Sequence, residues 1–142
     1  MSRVALPNGD DHPEAAAKHL LDCSLLQAQG RHDGAGYLAG YVIECCLKTL
    51  ILVDGLAPGF VHFLSALNQE AIRLAALPGS QTARYAPWHS AGHPIYNRAS
   101  GWDVALRYQP EHILPALAQR WVEEAHLVFS RTVVPLRLDG MI

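Results

Sequence analysis

Residues 37–53 read YLAGYVIECCLKTLILV, a segment that is apolar at nearly every position around the helix it predicts. A helix that is apolar on all sides is typically buried on several sides. Its charged residues, Glu44 and Lys48, are four apart with the acid first, an order in which they pair on one helix face. Asp33 is the predicted N-cap, and Gly55 follows the end of the helix. We therefore expect this helix to be the central one.

Helical patterns lie on both sides of this segment. Asp11 precedes Glu14 by three residues, a capping arrangement that predicts a first helix over about 12–29. Apolar residues at helical spacing predict a third helix over about 63–75 and a last helix over about 114–129. No run of alternating apolar and polar residues is long enough to seed a sheet. The sequence therefore predicts an all-α fold.

The connections complete the expected architecture. Residues 78–101 hold three Pro, three Gly and three Ser, which predicts a long loop, followed by a short helix over about 97–106 that Trp102 anchors. We expect one domain, residues 1–142, with its core at about 12–131, folded as an antiparallel up-and-down bundle of four to five helices. The residues expected to be mostly buried are Leu21, Leu25, Val42, Leu47, Phe63, Leu67, Leu117 and Trp121.

Composition and charge narrow the function classes. Lys plus Arg number 11 and Asp plus Glu number 13, a net charge of −2 that excludes a broadly basic nucleic-acid surface. No apolar run reaches the roughly 18–20 residues that cross a bilayer, and residues 1–7 lack a signal-peptide pattern. A cytoplasmic protein with no membrane partner is therefore expected. Cys23, Cys45 and Cys46 lie within helical patterns and are expected to pack as small apolar residues.

Several short segments resemble the HEPN domain family, small helical-bundle proteins found beside nucleotidyltransferases and in toxin–antitoxin pairs. GRHDGA at 30–35 and GYVIECCLK at 40–48 are similar to the family's break before its second helix and its Glu-x-x-x-Lys within that helix. HFLSAL at 62–67 is similar to the His-x-Leu-x-x-Leu start of the third helix. Trp102 followed by Arg-Tyr at 107–108 is similar to the segment before the final helix.

The resemblance implies a homodimer that acts in nucleotide or RNA metabolism with a nucleotidyltransferase or an antitoxin as partner. Family members that cut RNA carry an Arg followed four to six residues later by a His, and two protomers join their sites across the dimer interface. His would act as general acid or base, and Arg would stabilise charge on the phosphate. The apolar second helix is an independent reason to expect a homodimer, because a four-helix bundle of this size cannot cover every face of every helix.

Two Arg–His spacings supply the catalytic candidates. Arg120 and His126 lie in the last helix, where six residues place their side chains about 120° apart, and Trp121 follows the Arg where nuclease members usually have a small polar residue. Arg107 and His112 include the Arg-Tyr pair of the resemblance, with a proline between them. The alternative for both pairs is a solvent-exposed or helix-end position without a catalytic role. Any endoribonuclease activity is therefore expected to be weak or absent.

The candidates for binding RNA or a nucleotide are Glu44, Lys48, Tyr108 and Arg84. Glu44 and Lys48 form either a polar site within an apolar helix or a structural ion pair. Arg84, which precedes His89 at the nuclease spacing, lies with several aromatic residues in the 78–101 loop. These side chains either stack on bases or cover the end of the bundle.

No metal and no cofactor is expected. His89 and His93 have the spacing of half a metal site if their loop is helical, but Gly92 and Pro94 disfavour a helix there. No acidic or cysteine ligand lies near them in the sequence.

Three function hypotheses remain open at this stage. The first is a HEPN-like binding module that works as a homodimer with a protein partner. The second is a metal-independent endoribonuclease of the same fold, in which an Arg–His pair acts at the dimer interface. The third is a structural helical protein without a site.

Overall fold

The structure is a computed structural model that describes residues 1–110 and 112–142, and at His89 the backbone only. Within these residues the chain is helical and contains no strand, so the all-α prediction is confirmed. The α-helices of the described chain are α1 (His12–Ala28), α2 (His32–Val53), α3 (Leu64–Ala75), α4 (Pro115–Arg131) and α5 (Val133–Leu138). Short 3-10 turns lie between α3 and α4, at Trp88–Ser90, Pro94–Tyr96 and Val104–Tyr108.

The start of α2 differs from the prediction. Asp11 caps α1 as expected, but Asp33 lies inside the first turn of α2, because this helix begins at His32. The Asp33 carboxylate instead accepts hydrogen bonds from the backbone N–H groups of His112 and Ile113, both at 2.9 Å. Asp33 therefore ties the segment before α4 to the start of α2.

α1 and α2 form an antiparallel pair. The rings of His19 and Tyr41 lie 5.7 Å apart near the middle of both helices. Leu26, near the end of α1, packs against Gly34 at the start of α2. The link between the helices is residues 29–31, and so short a link makes neighbouring helices run in opposite directions.

α3 runs in the same direction as α2, so the predicted up-and-down order does not extend beyond the first pair. His62, which precedes α3, contacts Glu44 in the middle of α2. Leu74, near the end of α3, lies beside Asp54 at the end of α2. The physical reason is that residues 54–63 carry the chain back along α2 before α3 begins.

α4 also runs in the same direction as α2. Trp121, in the first half of α4, packs against Gly36 near the start of α2. Thr132, directly after α4, lies beside Cys46 in the second half of α2. Residues 76–114 return the chain to the start of α2, as the bonds of Asp33 require.

α2 is the central helix, as predicted. Of its 22 residues 15 are buried, and α1, α3 and α4 all pack against it. The chain therefore covers its own second helix, which removes the predicted structural reason for a homodimer.

α2 is also long and apolar enough to cross a membrane, which corrects the expectation that no apolar run is long enough to do so. Most of the helix is, however, buried within the protein. A core helix of a globular domain has the same properties, and the cytoplasmic location stays a prediction.

The predicted core is half correct. Four of the eight residues expected in the core are buried, namely Val42, Leu47, Leu67 and Trp121. Leu117 is half-buried, and Leu21, Leu25 and Phe63 are exposed. Leu117 lies one position before the buried Ala118, at the edge of the inward face of α4. Phe63 precedes the first turn of α3 and lies under the guanidinium of Arg98 at the surface.

The two exposed leucines of α1 show why the prediction failed there. α1 turns Ala16 and Cys23 toward the core, and helix geometry then places Leu21 and Leu25 on the opposite side. Leu21 is 74% exposed and Leu25 is 59% exposed. Because apolar residues surround much of α1, periodicity alone does not identify its inward face.

The 78–101 loop folds onto the bundle. Asp54, directly after α2, accepts hydrogen bonds from residues 80–82 at the start of the loop. Tyr85 and Tyr96 are buried, whereas Trp88 is exposed. The burial favours the interpretation that the two tyrosines cover the bundle, and their rings are therefore not free to stack on bases.

Trp102 anchors the segment after the loop, as predicted, although the short helix lies at Val104–Tyr108 instead of 97–106. The indole ring occupies the space beside Gly40, where an added Cβ would lie 2.1 Å from the ring. The Trp102 Nε1–H donates a hydrogen bond of 2.8 Å to the backbone carbonyl of Tyr37. Glycine at position 40 is therefore a steric requirement of this packing.

Leu47 is fully buried in α2, whereas Leu138 is exposed at the end of α5. Replacing Leu47 by Ala should lower the free energy of unfolding by about 2–4 kcal/mol, because it removes buried methyl groups and leaves a cavity. Leu138→Ala is the matched control and should change this free energy by less than about 0.5 kcal/mol. Chemical denaturation followed by circular dichroism measures both variants. A Leu47→Ala effect no larger than the control would show that α2 does not occupy the core.

Candidate functional site

One side of the otherwise apolar α2 is polar. Tyr37, Tyr41, Glu44 and Lys48 follow one another at intervals of four, three and four residues, which places them on one helix face. We call these four residues the polar face of α2. Glu44 and Lys48 are buried, and the two tyrosines are half-buried. The polar face therefore reaches from the core to the surface.

Glu44 is the centre of a charged network. Lys48 Nζ lies 2.8 Å from Glu44 Oε1, and His62 Nδ1 lies 3.0 and 3.1 Å from the two carboxylate oxygens. An ionised carboxylate only accepts hydrogen bonds, so His62 carries its donated proton on Nδ1. The His62 side chain is 43% exposed and is the part of the network that reaches solvent. The predicted pairing of Glu44 with Lys48 is confirmed, and His62 is its third member.

Two histidines of α1 border the polar face. Burial lowers the pKa of His12, and the positive charge of Lys48 lowers it further. Burial and the charge of Lys18 lower the pKa of His19, whose ring packs against Tyr41. Nearby carboxylates act in the opposite direction but less strongly. Both imidazoles are therefore neutral at pH 7, and His19 Nδ1 has no hydrogen-bond partner among the described residues.

Aromatic rings occupy the other end of the polar face. Trp102 stacks on Tyr37 with ring centroids 6.1 Å apart and meets Tyr41 edge-on at 5.0 Å. The hydroxyl oxygens of the two tyrosines lie 3.0 Å apart. Burial and this hydrogen bond raise the pKa of Tyr41, so its phenol stays protonated. The result is a rigid aromatic surface beside the charged network.

Two exposed arginine–aromatic pairs flank the polar face. The guanidinium of Arg98 lies 4.9 Å from the ring centroid of Phe63, which follows His62 in the chain. The guanidinium of Arg107 lies 4.8 Å from the ring centroid of Tyr108. Arg107 also interacts electrostatically with the two tyrosines of the polar face. Each pair combines a cation with a flat ring, an attractive arrangement.

The arrangement is chemically suited to binding. Exposed rings and guanidinium planes are surfaces on which unpaired bases stack, and exposed guanidinium groups form charge-assisted hydrogen bonds to phosphate. The carboxylate of Glu44 is already bonded to Lys48 and His62, so it has no free position as a general base. The polar face is therefore chemically suited to hold a nucleotide, and Glu44 is not available there as a general base.

The structure does not bring Arg120 and His126 together. Both are exposed on α4, on different sides of the helix. His126 Nε2 lies 2.8 Å from Ser24 Oγ, and this hydroxyl donates its proton to the carbonyl of Leu20. His126 Nε2 is therefore a donor that links α4 to α1. Trp121, which follows Arg120, is buried against α2.

The second candidate pair is also divided between two places. Arg107 lies over Tyr108 beside the polar face. His112 lines a cleft at the start of α2 together with His32, and its backbone N–H is bonded to Asp33. It also lines a second cleft with Arg98 and Leu106. No hydrogen bond joins Arg107 to His112 among the described residues.

Arg84 is paired within the chain, but its side chain is 71% exposed, so its role in RNA binding stays a prediction. Its guanidinium lies 2.8 Å from the Asp139 carboxylate and also donates to the hydroxyl of Tyr85. The side chain of His89, at the nuclease spacing from Arg84, lies outside the described residues. The predicted binding residues that the structure places at or beside the polar face are Glu44, Lys48 and Tyr108.

The structure gives no support to a metal site. Within the described part of the chain, no three His, Cys, Asp or Glu side chains form a group that could hold a metal ion. His93 Nδ1, one half of the histidine pair considered above, accepts a hydrogen bond of 3.2 Å from the backbone N–H of Ile95.

The site residues that sequence reasoning missed are Tyr37, Tyr41, His12, His19, His62 and Arg98. The two tyrosines had a usable signal, because their spacing from Glu44 places all three on one helix face. His62 had no such signal, since its contact with Glu44 depends on the path of residues 54–63. A bent link of this kind leaves no periodic pattern in the sequence.

The chain matches no protein-family model, no curated protein and no solved structure. The resemblance to the HEPN family therefore rests on the sequence motifs alone and stays a prediction.

Lys48 balances the buried charge of Glu44, and its removal is the sharpest test of the network. Lys48→Met should lower the free energy of unfolding by about 3–5 kcal/mol, because it leaves a buried carboxylate without its main partner. The double variant with Glu44→Gln should recover part of that loss. Arg73→Met, at the exposed Arg73–Glu70 pair, is the control and should leave stability nearly unchanged. If Lys48→Met and Arg73→Met change the free energy of unfolding by the same amount in urea denaturation, the Glu44 network is not buried.

The histidines of α1 predict a pH dependence. Because burial lowers the pKa of His12 and His19 below 6.5 in the folded chain, the unfolded chain binds protons first as the pH falls. The free energy of unfolding should be fully maintained above pH 6.5 and should decline below it. Urea denaturation at pH 7.5 and pH 5.5 measures the difference, which should shrink in a variant with His12→Gln and His19→Gln. An equally large difference in that variant would refute this assignment.

Proposed function

We propose that the chain is a HEPN-like helical module that binds RNA or a nucleotide through the polar face of α2. In this proposal it acts as a homodimer together with a nucleotidyltransferase or an antitoxin. The observation that carries the binding role is the pair of exposed arginine–aromatic contacts, Arg98 on Phe63 and Arg107 on Tyr108, on either side of the polar face.

The physical basis is the combination of charge and flat surface. The chain has a net charge of −2, so a general electrostatic attraction to RNA is not available. Binding must instead come from a local patch. Arg98 and Arg107 supply donors for phosphate, while Phe63 and Tyr108 supply rings for bases.

The homodimer has separate support from α1. Leu21 and Leu25 are exposed one turn apart, and Ala28 extends the same stripe. Exposed apolar stripes on a helix are typical of association surfaces.

Binding is favoured over cleavage because neither Arg–His pair is assembled. His126 is bonded to Ser24, and the described chain has no hydrogen bond between Arg107 and His112, whose backbone N–H is bonded to Asp33. A nuclease site would have to be completed by a second protomer. The purely structural hypothesis does not account for two exposed Arg–aromatic pairs beside a half-buried polar face.

The binding role is tested with a fluorescently labelled, short single-stranded RNA and fluorescence anisotropy in EDTA. Arg98→Gln and Arg107→Gln together should weaken binding by about tenfold. The dependence of the binding constant on salt should also become shallower, by about 0.7 in the log–log slope for each phosphate that the variant no longer neutralises. Arg73→Gln, an exposed arginine on α3 paired with Glu70, is the control and should bind like the unaltered chain.

Two readouts from the same samples separate the alternatives. Gel analysis should show intact RNA, and light scattering should give twice the 15.5 kDa mass of one chain. Equal binding by the double variant and the control would reject the polar face as the binding site. Cleavage that Arg120→Ala or His126→Ala abolishes in a folded protein would replace this proposal with the endoribonuclease.

A further inference from the structure

The link between α2 and α3 carries an uncharged, apolar surface. Its residues 55–63, which we call the link, read GLAPGFVHF and contain no Asp, Glu, Lys or Arg. Phe60 is 94% exposed, so its own chain leaves the ring almost entirely in solvent. Leu56 and Val61 of the link are exposed as well. Large apolar side chains that are exposed together are typical of an association surface.

A small apolar pocket lies beside Phe60. It has a volume of about 230 Å³ and is formed by the end of α2, the link and the first turns of α3. Two buried residues, Ile51 of α2 and Leu67 of α3, line it together with Pro58 and Val61 of the link. Phe60 lies between Pro58 and Val61 in the chain but is not part of the lining. The link therefore presents an exposed ring and an apolar pocket side by side.

The backbone holds the link in this shape. The N–H of Leu56 donates a hydrogen bond of 3.1 Å to the carbonyl of Ile51, which closes the end of α2. Gly55 and Gly59 have φ angles of 84° and 62°, a region that favours glycine. Ring and pocket are therefore pre-organised, which lowers the entropy cost of association.

The charge distribution favours a second copy of the chain as the partner at this surface. The whole chain has a net charge of −2, so copies of it repel one another in general. The link has no acidic residue, and Glu70 at the edge of the pocket is paired with Arg73 at 2.8 Å. Two links can therefore meet without like-charge repulsion.

The area that the contact buries favours a reciprocal arrangement. Burial of one phenylalanine side chain removes roughly 150–250 Å² from water, whereas stable interfaces bury at least about 1,200 Å² in total. One ring in one pocket falls far short of this area. Two rings in two pockets, with the walls that they cover, reach roughly 600–1,000 Å². A two-fold axis produces this exchange directly, because ring and pocket lie on the same surface.

We propose that two copies of the chain associate through the link, with Phe60 of each copy seated in the pocket of the other. The pocket is completed only by the ring of the partner copy. This contact goes beyond the proposed function, because the link shares no residue with the exposed stripe of α1 to which that function assigns its homodimer. Its small area makes the contact weak, so it forms at high protein concentration. Both contacts together would join four chains.

Sedimentation velocity at protein concentrations from about 10 μM to about 1 mM covers the range of such weak contacts and tests the proposal. The average mass of the unaltered chain should rise about twofold across this range. Phe60→Ser removes the ring and should weaken the association at least about tenfold. Ala66→Leu, which narrows the pocket from an exposed position of α3, should have the same effect. Leu138→Ser is the control, because Leu138 is 82% exposed outside the link, and the rise should persist in it.

The homodimer of the proposed function is tested separately in the same experiment. Leu21→Ser combined with Leu25→Ser should lower the mass at the lowest concentration and leave the rise with concentration intact. Failure of that dimer and failure of the link contact are therefore distinguishable.

Two results would overturn the proposal. One is an unaltered chain whose mass does not change with concentration, and the other is a rise that persists in folded Phe60→Ser or folded Ala66→Leu. Circular dichroism checks the fold of each variant. If Phe60→Ser does not fold, Ala66→Leu decides, because it leaves the link sequence unaltered.

Discussion

The burial of α2 governs the arrangement of this protein. Three helices pack around it, and the chain has to run back along α2 twice, first to its middle before α3 and then to its start before α4. A charged residue on so buried a helix requires a partner, because an isolated buried charge is strongly unfavourable. Glu44 meets this requirement with Lys48 one turn away and with His62 from the link before α3. The polar face is thus a consequence of the same burial.

The two long links determine which side chains meet. Residues 54–63 run back along α2 and deliver His62 to Glu44. Residues 76–114 return to the start of α2 and deliver Trp102 into the space that Gly40 leaves beside the two tyrosines. Segments without regular structure therefore build much of the candidate site. This is common in proteins, where a rigid scaffold positions functional loops.

The polar face differs in charge from the chain as a whole. It is bordered by exposed guanidinium groups on aromatic rings, a combination that suits phosphate and stacked bases. The whole chain has a net charge of −2. An acidic chain can carry such a locally cationic surface because local charge and net charge are independent.

The sequence by itself determined the helical class, the central position of α2, the pairing of Glu44 with Lys48 and the anchoring role of Trp102. These features depend on local spacing and composition, which the sequence records directly. Only the tertiary structure decided the parallel course of α3 and α4, the outward position of Leu21 and the joining of His62 to the polar face. Each of these depends on which side of a helix a distant segment covers, and an apolar pattern that surrounds a helix carries no such information.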